Sequence, residues 1–75
     1  MIRYKNLGGS SGVYSYEIEY DSIHVLFHDG AGYLYTVASA GGFHIAQMTQ
    51  RAAAGIGLNS YITRHVKKLY AAKTR

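Results

Sequence analysis

The stretch GIGLNSYITRHVKKLY, residues 55–70, gathers the groups best suited to hold an anion. Gly55 and Gly57 stand one residue apart, so backbone there can approach a ligand closely. Asn59 and Ser60 add short hydrogen-bonding side chains at the start of a predicted helix. The free N–H groups and dipole of such a start favour negative charge. Arg64 follows Ser60 by one turn on the same face, and Lys67 and Lys68 extend the cationic flank. The pattern describes a cradle for one or two phosphates. It is not a P-loop, because the Gly-x-x-x-x-Gly-Lys-Ser/Thr spacing is absent. The same residues also fit a purely structural use, in which Gly55 ends one helix, Asn59 caps the next and the turn between them carries no ligand.

Eight tyrosines in 75 residues form the second chemical feature. A tyrosine buries its ring while keeping a hydroxyl for solvent, and a nucleobase stacks on its face for about 1–3 kcal/mol. Tyr14, Tyr16, Tyr33 and Tyr35 alternate along predicted strands and are assigned to the core. Tyr4, Tyr61, Tyr70 and Phe43 are the candidate stacking surfaces. The histidines do not make a metal site: His24 and His28 share a strand face but lie about 13 Å apart along it. His44 is read as a surface residue, and His65 falls in an apolar arc as a core histidine. A Glu19–His24 pair would be an ordinary cross-strand contact. No nucleophile elbow, His-Glu-x-x-His motif or carboxylate cluster is present, so no catalysis and no cofactor are expected.

Charge supports an acidic partner. The net charge is +4, but all four acids (Glu17, Glu19, Asp21 and Asp29) precede residue 30. The later residues Arg51, Arg64, Lys67, Lys68, Lys73 and Arg75 have no acid among them, giving +6 there against −2 before. Such asymmetry suits an acidic ligand, although it also suits a solubilising surface. A chain this short buries about 60% of its unfolded surface, and without cysteine it has no disulfide, so a homo-oligomer is expected to help it. The start, MIRYKNLGG, lacks the apolar core of a signal peptide, and no apolar run approaches the roughly 20 residues of a membrane span. A cytoplasmic protein with no membrane partner is expected.

These groups need elements to position them. Residues 1–12 end in GGSSG and read as a flexible lead. GVYSYEIEY alternates, placing Tyr14, Tyr16, Ile18 and Tyr20 on one face. A two-residue turn at Asp21-Ser22 would set Ile18 opposite Val25 and Tyr16 opposite Phe27. For the next hairpin, a two-residue Asp-Gly turn would turn Tyr33 and Tyr35 outward. A three-residue loop with left-handed Gly30 would set Tyr33 opposite Val25 and Tyr35 opposite Ile23, and it is preferred. Val13, Leu26 and Leu34 then form a small apolar patch on the outer face. After VASAGG the period becomes helical, with Ile45, Met48 and Ala52 on one stripe, Ser39 as N-cap and Gly55 as stop. Phe43 falls off that stripe, as a hydrophobic staple or an exposed aromatic. A second helix is predicted from Leu58 to about Ala72, burying Leu58, Ile62, His65, Val66 and Leu69. The fold class is therefore α+β: a three-stranded antiparallel sheet in β-β-β-α-α order with two helices on one face. The domain would span residues 13–72, with 73–75 a basic tail.

The hairpin Phe27-His28-Asp29-Gly30-Ala31-Gly32-Tyr33-Leu34-Tyr35, followed by Gly55-Ile56-Gly57-Leu58-Asn59-Ser60-Tyr61-Ile62, resembles the KTSC domain. That small domain occurs at the C-terminus of some lysyl-tRNA synthetases and as a stand-alone protein of bacteria and phages. The resemblance covers roughly residues 12–70. Many members carry Val-Pro after the third strand, where this chain reads Thr36-Val37-Ala38, and a serine where Ala53 stands, so no role of that serine is carried over. The synthetase context implies RNA binding. The expectation is thus a non-enzymatic module for a phosphate-bearing, nucleobase-containing ligand, either RNA or a small soluble nucleotide signal sequestered by an oligomer. The competing reading is a protein-interaction module that docks through the outer sheet face.

Overall fold

The computed structural model describes residues 1–9 and 11–75. Its architecture is α+β, and the sheet is antiparallel with five strands in sequential order. These are β1 (Ile2–Arg3), β2 (Val13–Glu19), β3 (Ser22–Phe27), β4 (Gly32–Thr36) and β5 (Ala72–Lys73). The helices are α1 (Val37–Ala40), α2 (Gly42–Ala54) and α3 (Leu58–Tyr61), with α3 continuing into a π-helical segment, Ile62–Val66. The three expected strands form the centre of the sheet. The two extra strands are two-residue edges contributed by the segments read as lead and tail.

The core lies between one face of the sheet and the helices. Val13, Tyr16, Ile23, Val25 and Tyr35 meet Ile45, Met48, Ala52, Leu58, Tyr61, Ile62 and Val66 there. The α2 stripe is the predicted one. Gly55 ends α2 in the left-handed conformation that only glycine adopts without strain. The three-residue loop between β3 and β4 also forms as preferred. Gly30 has φ 92°, Asp29 Oδ1 accepts from the Ala31 N–H at 2.9 Å, and Tyr33 and Tyr35 pair with Val25 and Ile23.

Several expectations need correction. The β2–β3 register is shifted by two residues: Ile18 faces Ile23, Tyr16 faces Val25, and the turn is Tyr20-Asp21. An even shift keeps every side chain on its face, so alternation could not distinguish the two registers. Further along β2 a bulge at Tyr14 sets Val13 opposite Phe27 and Ser15 opposite Leu26. The extra residue reverses the alternation beyond it. Val13 is fully buried and Tyr14 lies outside, under the Arg3 guanidinium at 4.2 Å. The outer apolar patch therefore loses Val13 and retains only half-buried Leu26 and Leu34.

Ser39 does not cap α2. It closes a capping box on α1 with Thr36, each hydroxyl accepting from the other residue's N–H at 3.0 Å, and Gly41 separates the two helices.

The second helix does not reach Ala72. The chain turns after Val66, with Leu69 N–H donating to Val66 O at 2.8 Å. It then returns along β4, pairing Ala72 with Leu34 and Lys73 with Tyr33. Residues 73–75 are thus part of the sheet: Thr74 N–H donates to Gly32 O and Thr74 Oγ1 lies 2.7 Å from His24 Nε2. His65 and Leu69 are exposed rather than core.

The stretch 1–12 also belongs to the domain, although Ser10 lies outside the described residues. Ile2 and Arg3 pair with Tyr16 and Ser15. Tyr4 is buried in the core, and its hydroxyl accepts from the Leu58 N–H at 3.2 Å. No helix among the described residues is long and apolar enough to cross a membrane.

Candidate ligand-binding groove

The predicted cradle residues are not gathered into one site. They are distributed around the segment 58–66 in three depressions. Gly55 is closed off: it is buried, its carbonyl accepts from Leu7 N–H at 2.7 Å, and the Lys5 side chain lies against its α-carbon. It is a structural glycine and is withdrawn as a ligand contact.

The first depression, about 300 Å³, is lined by Tyr4, Asn6, Gly8, Ser11, Ile56, Gly57, Asn59 and Ser60. It lies where the phosphate cradle was expected, but among the described residues no cationic side chain lines it. The helix behind it offers little dipole, because its α-helical part is one turn long, and the Leu58 N–H is already taken by Tyr4. Asn59 is not a cap, since Gly57 holds that position with no side-chain cap bond. The sequence reading of an anion-binding amino end is corrected accordingly.

The second depression is a groove of about 340 Å³ between β4 and the far flank of the helical segment. Lys67 and Lys68 line it together with Asn59, Thr63, Phe27, Asp29, Tyr33, Tyr35 and Tyr70. The return of the chain after Val66 explains its aromatic wall. That turn carries Tyr70 onto the sheet, 4.8 Å from the Tyr33 ring and 6.4 Å from Tyr35. Phe27 continues the wall edge-on to Tyr33 at 5.9 Å, and Lys73 Nζ stands 5.9 Å from the Tyr33 centroid. Tyr70 is 38% exposed, so part of its side chain stays open to solvent. Tyr33, assigned by sequence to the core alone, is half-buried here. Its pairing with Tyr70 was not foreseen, because it depends on the early end of the helix.

Tyr35 underlies this groove and is 1% exposed. Burial, reinforced by the neighbouring Tyr33 and Tyr70 phenols, pushes its pKa up to about 12. An unfolded tyrosine ionises near pH 10, so between pH 10 and 12 the unfolded state releases a proton that the folded state keeps. Stability should fall across that window, by roughly 2–3 kcal/mol in total. Urea denaturation at pH 9 to 11.5 should show the loss, and Tyr35→Phe should flatten it.

The third depression, about 240 Å³, brings Gly57, Ser60 and Arg64 together with Arg51, Tyr61 and His65. Tyr61 is corrected as a stacking candidate. It is 7% exposed, its hydroxyl lies 2.6 Å from His44 Nδ1, and Arg51 covers its ring at 4.5 Å. Phe43 is exposed, beside His44 at 5.8 Å, and lines none of the three depressions. Tyr4, likewise a stacking candidate, is in the core. Among the described residues no group of three or more His, Asp or Glu side chains is placed to hold a metal ion.

No protein-family model, curated protein or solved structure matches this chain. The functional reading therefore rests on the geometry of the site.

Proposed function

We propose that the protein is a non-enzymatic binding module for a phosphate-bearing, nucleobase-containing ligand, held in the groove between Tyr33, Tyr70, Lys67 and Lys68. One observation carries this reading: an aromatic wall that includes the part-exposed Tyr70 and two lysines line the same groove. A base would stack on Tyr70 and a phosphate would meet the lysine ammonium groups. The volume, about 340 Å³, lies at the small end of the roughly 300–1,000 Å³ usual for ligand sites. That size favours a single nucleotide unit over a longer stretch of strand. A cytoplasmic setting and a homo-oligomer that completes the pocket belong to the same proposal. So does the assignment as a KTSC-type domain, which rests on the Tyr33-Leu34-Tyr35 and Gly55–Ile62 stretches.

Tyr70→Ala should weaken binding of a nucleoside monophosphate roughly 5- to 100-fold, the loss of one stacking contact. Lys67→Ala with Lys68→Ala should weaken the nucleotide and leave a free nucleoside nearly unaffected. Calorimetric titration of wild type and variants measures both. An equal loss for nucleoside and nucleotide in the lysine variant would contradict the phosphate assignment. RNA and mononucleotide are separated by salt: affinity for a strand falls steeply with salt, affinity for one nucleotide only shallowly.

The docking reading of the outer sheet face is weakened by the burial of Val13. It survives only at Leu26 and Leu34, where Leu26→Asp should change the oligomeric state measured by light scattering if that face is used.

A further inference from the structure

We propose that the depression between Arg51 and Arg64 is a second anion site that takes a phosphate group. It shares no lining residue with the tyrosine–lysine groove, so it does not rest on the nucleotide reading above. Arg51 carries the inference because, among the described residues, its guanidinium is held without a carboxylate partner. Nη1 donates to Gln47 Oε1 at 2.7 Å and to Gln47 O at 3.3 Å. The guanidinium plane is supported by the Tyr61 ring at 4.5 Å. Tyr61 is in turn fixed by His44 and packed against the His65 ring at 4.6 Å.

An arginine has five N–H donors, and this arrangement uses one nitrogen while fixing the fork. Ordering a long cationic side chain before the ligand arrives lowers the cost of binding. No acid lines the depression, and every acid in the chain lies at or before Asp29. Arg64 supplies a second cation, the Ser60 hydroxyl a neutral donor, and His65 a further ring N–H. Two guanidinium groups with a hydroxyl suit a tetrahedral oxyanion, which accepts several hydrogen bonds at once. The volume, about 240 Å³, falls below the range of whole-ligand pockets and suits a phosphate rather than a nucleotide.

The probe is inorganic phosphate, followed by amide and arginine Nε–H NMR at pH 6.5, with total ionic strength held by chloride. Saturable shifts are expected at Arg51, Gly57, Ser60, Arg64 and His65, read separately from any at Lys67 and Lys68. Arg51→Gln and Arg64→Gln should each weaken phosphate at least fivefold, and Arg75→Gln should not. Arg64 is exposed, so Arg64→Gln carries the test alone if Arg51→Gln fails to fold. Non-saturating shifts, shifts equal to those produced by chloride, or an affinity unchanged by Arg64→Gln would overturn the proposal.

Discussion

Val13→Asp should destabilise the protein by roughly 3–5 kcal/mol at neutral pH, whereas Tyr14→Asp should cost about 2 kcal/mol or less. Val13 is fully buried opposite Phe27, with no polar partner for a carboxylate. An ionised aspartate there would be desolvated, and a protonated one would still lose its hydrogen bonds to water. The cost is roughly 3–5 kcal/mol either way. A 75-residue domain has only ~4–11 kcal/mol to lose. Tyr14 sits on the outer face, where its replacement removes contacts with Arg3 and with the His28 ring, together worth about 1–2 kcal/mol. Without the bulge the two residues would exchange places, and so would the two outcomes. Urea melts of the pair, followed by far-UV circular dichroism, therefore test the β2 geometry directly.

Tyr4→Ala should be nearly as costly, at about 3–5 kcal/mol. The ring is 5% exposed within the core, and its hydroxyl satisfies the first N–H of α3. Truncation opens a cavity and orphans that donor together. Tyr4→Phe separates the terms. It keeps the ring and should cost about 1–2 kcal/mol, the penalty of one buried unsatisfied N–H. A Tyr4→Ala melt indistinguishable from wild type would mean that the first strand does not contribute to the fold. These two substitutions also bear on the site, because Tyr4 holds the start of the segment whose far end carries Lys67 and Lys68.

Much of the fold was legible because its signals are local. Gly30 marked a left-handed loop position under either loop length, and the three-residue loop, preferred because it leaves the outer face to His24, His28, Gly32 and Thr36, puts Tyr33 and Tyr35 with the core. Ile45, Met48 and Ala52 recur at helical spacing and point to the core as read. The misreadings share a different cause. Nothing at Tyr14 marks a bulge, since a β-branched or aromatic residue is equally at home in a regular strand. The first hairpin's register was ambiguous by two residues, because a period of two is blind to even shifts. Between Leu58 and Arg75 there is neither glycine nor proline, so no local stop signal announced the turn after Val66. That turn is set by pairing with β4, a tertiary contact.

The site followed the same division. Lys67, Lys68 and Tyr70 were recognised by type, but their meeting with Tyr33 depends on the unforeseen turn. Gly55 fits a helix stop and a cradle equally by type, and its contact with Lys5 leaves it only the first role. Arg51 was missed as a site residue. The signal for it was present in Gln47 and Arg51 at i, i+4 on a helix, four residues before the glycine turn.

The central claim is that the Tyr33–Tyr70 wall and the Lys67–Lys68 pair together hold a nucleotide. The most direct measurement is a backbone and aromatic NMR titration of the wild-type protein with nucleoside monophosphates of each base at low salt. The account predicts saturable binding, at millimolar affinity or tighter, with the largest ring shifts at Tyr33 and Tyr70 and the largest backbone shifts at Lys67 and Lys68. Titrations that do not saturate by about 10 mM, or saturable shifts that spare both tyrosines, would contradict it.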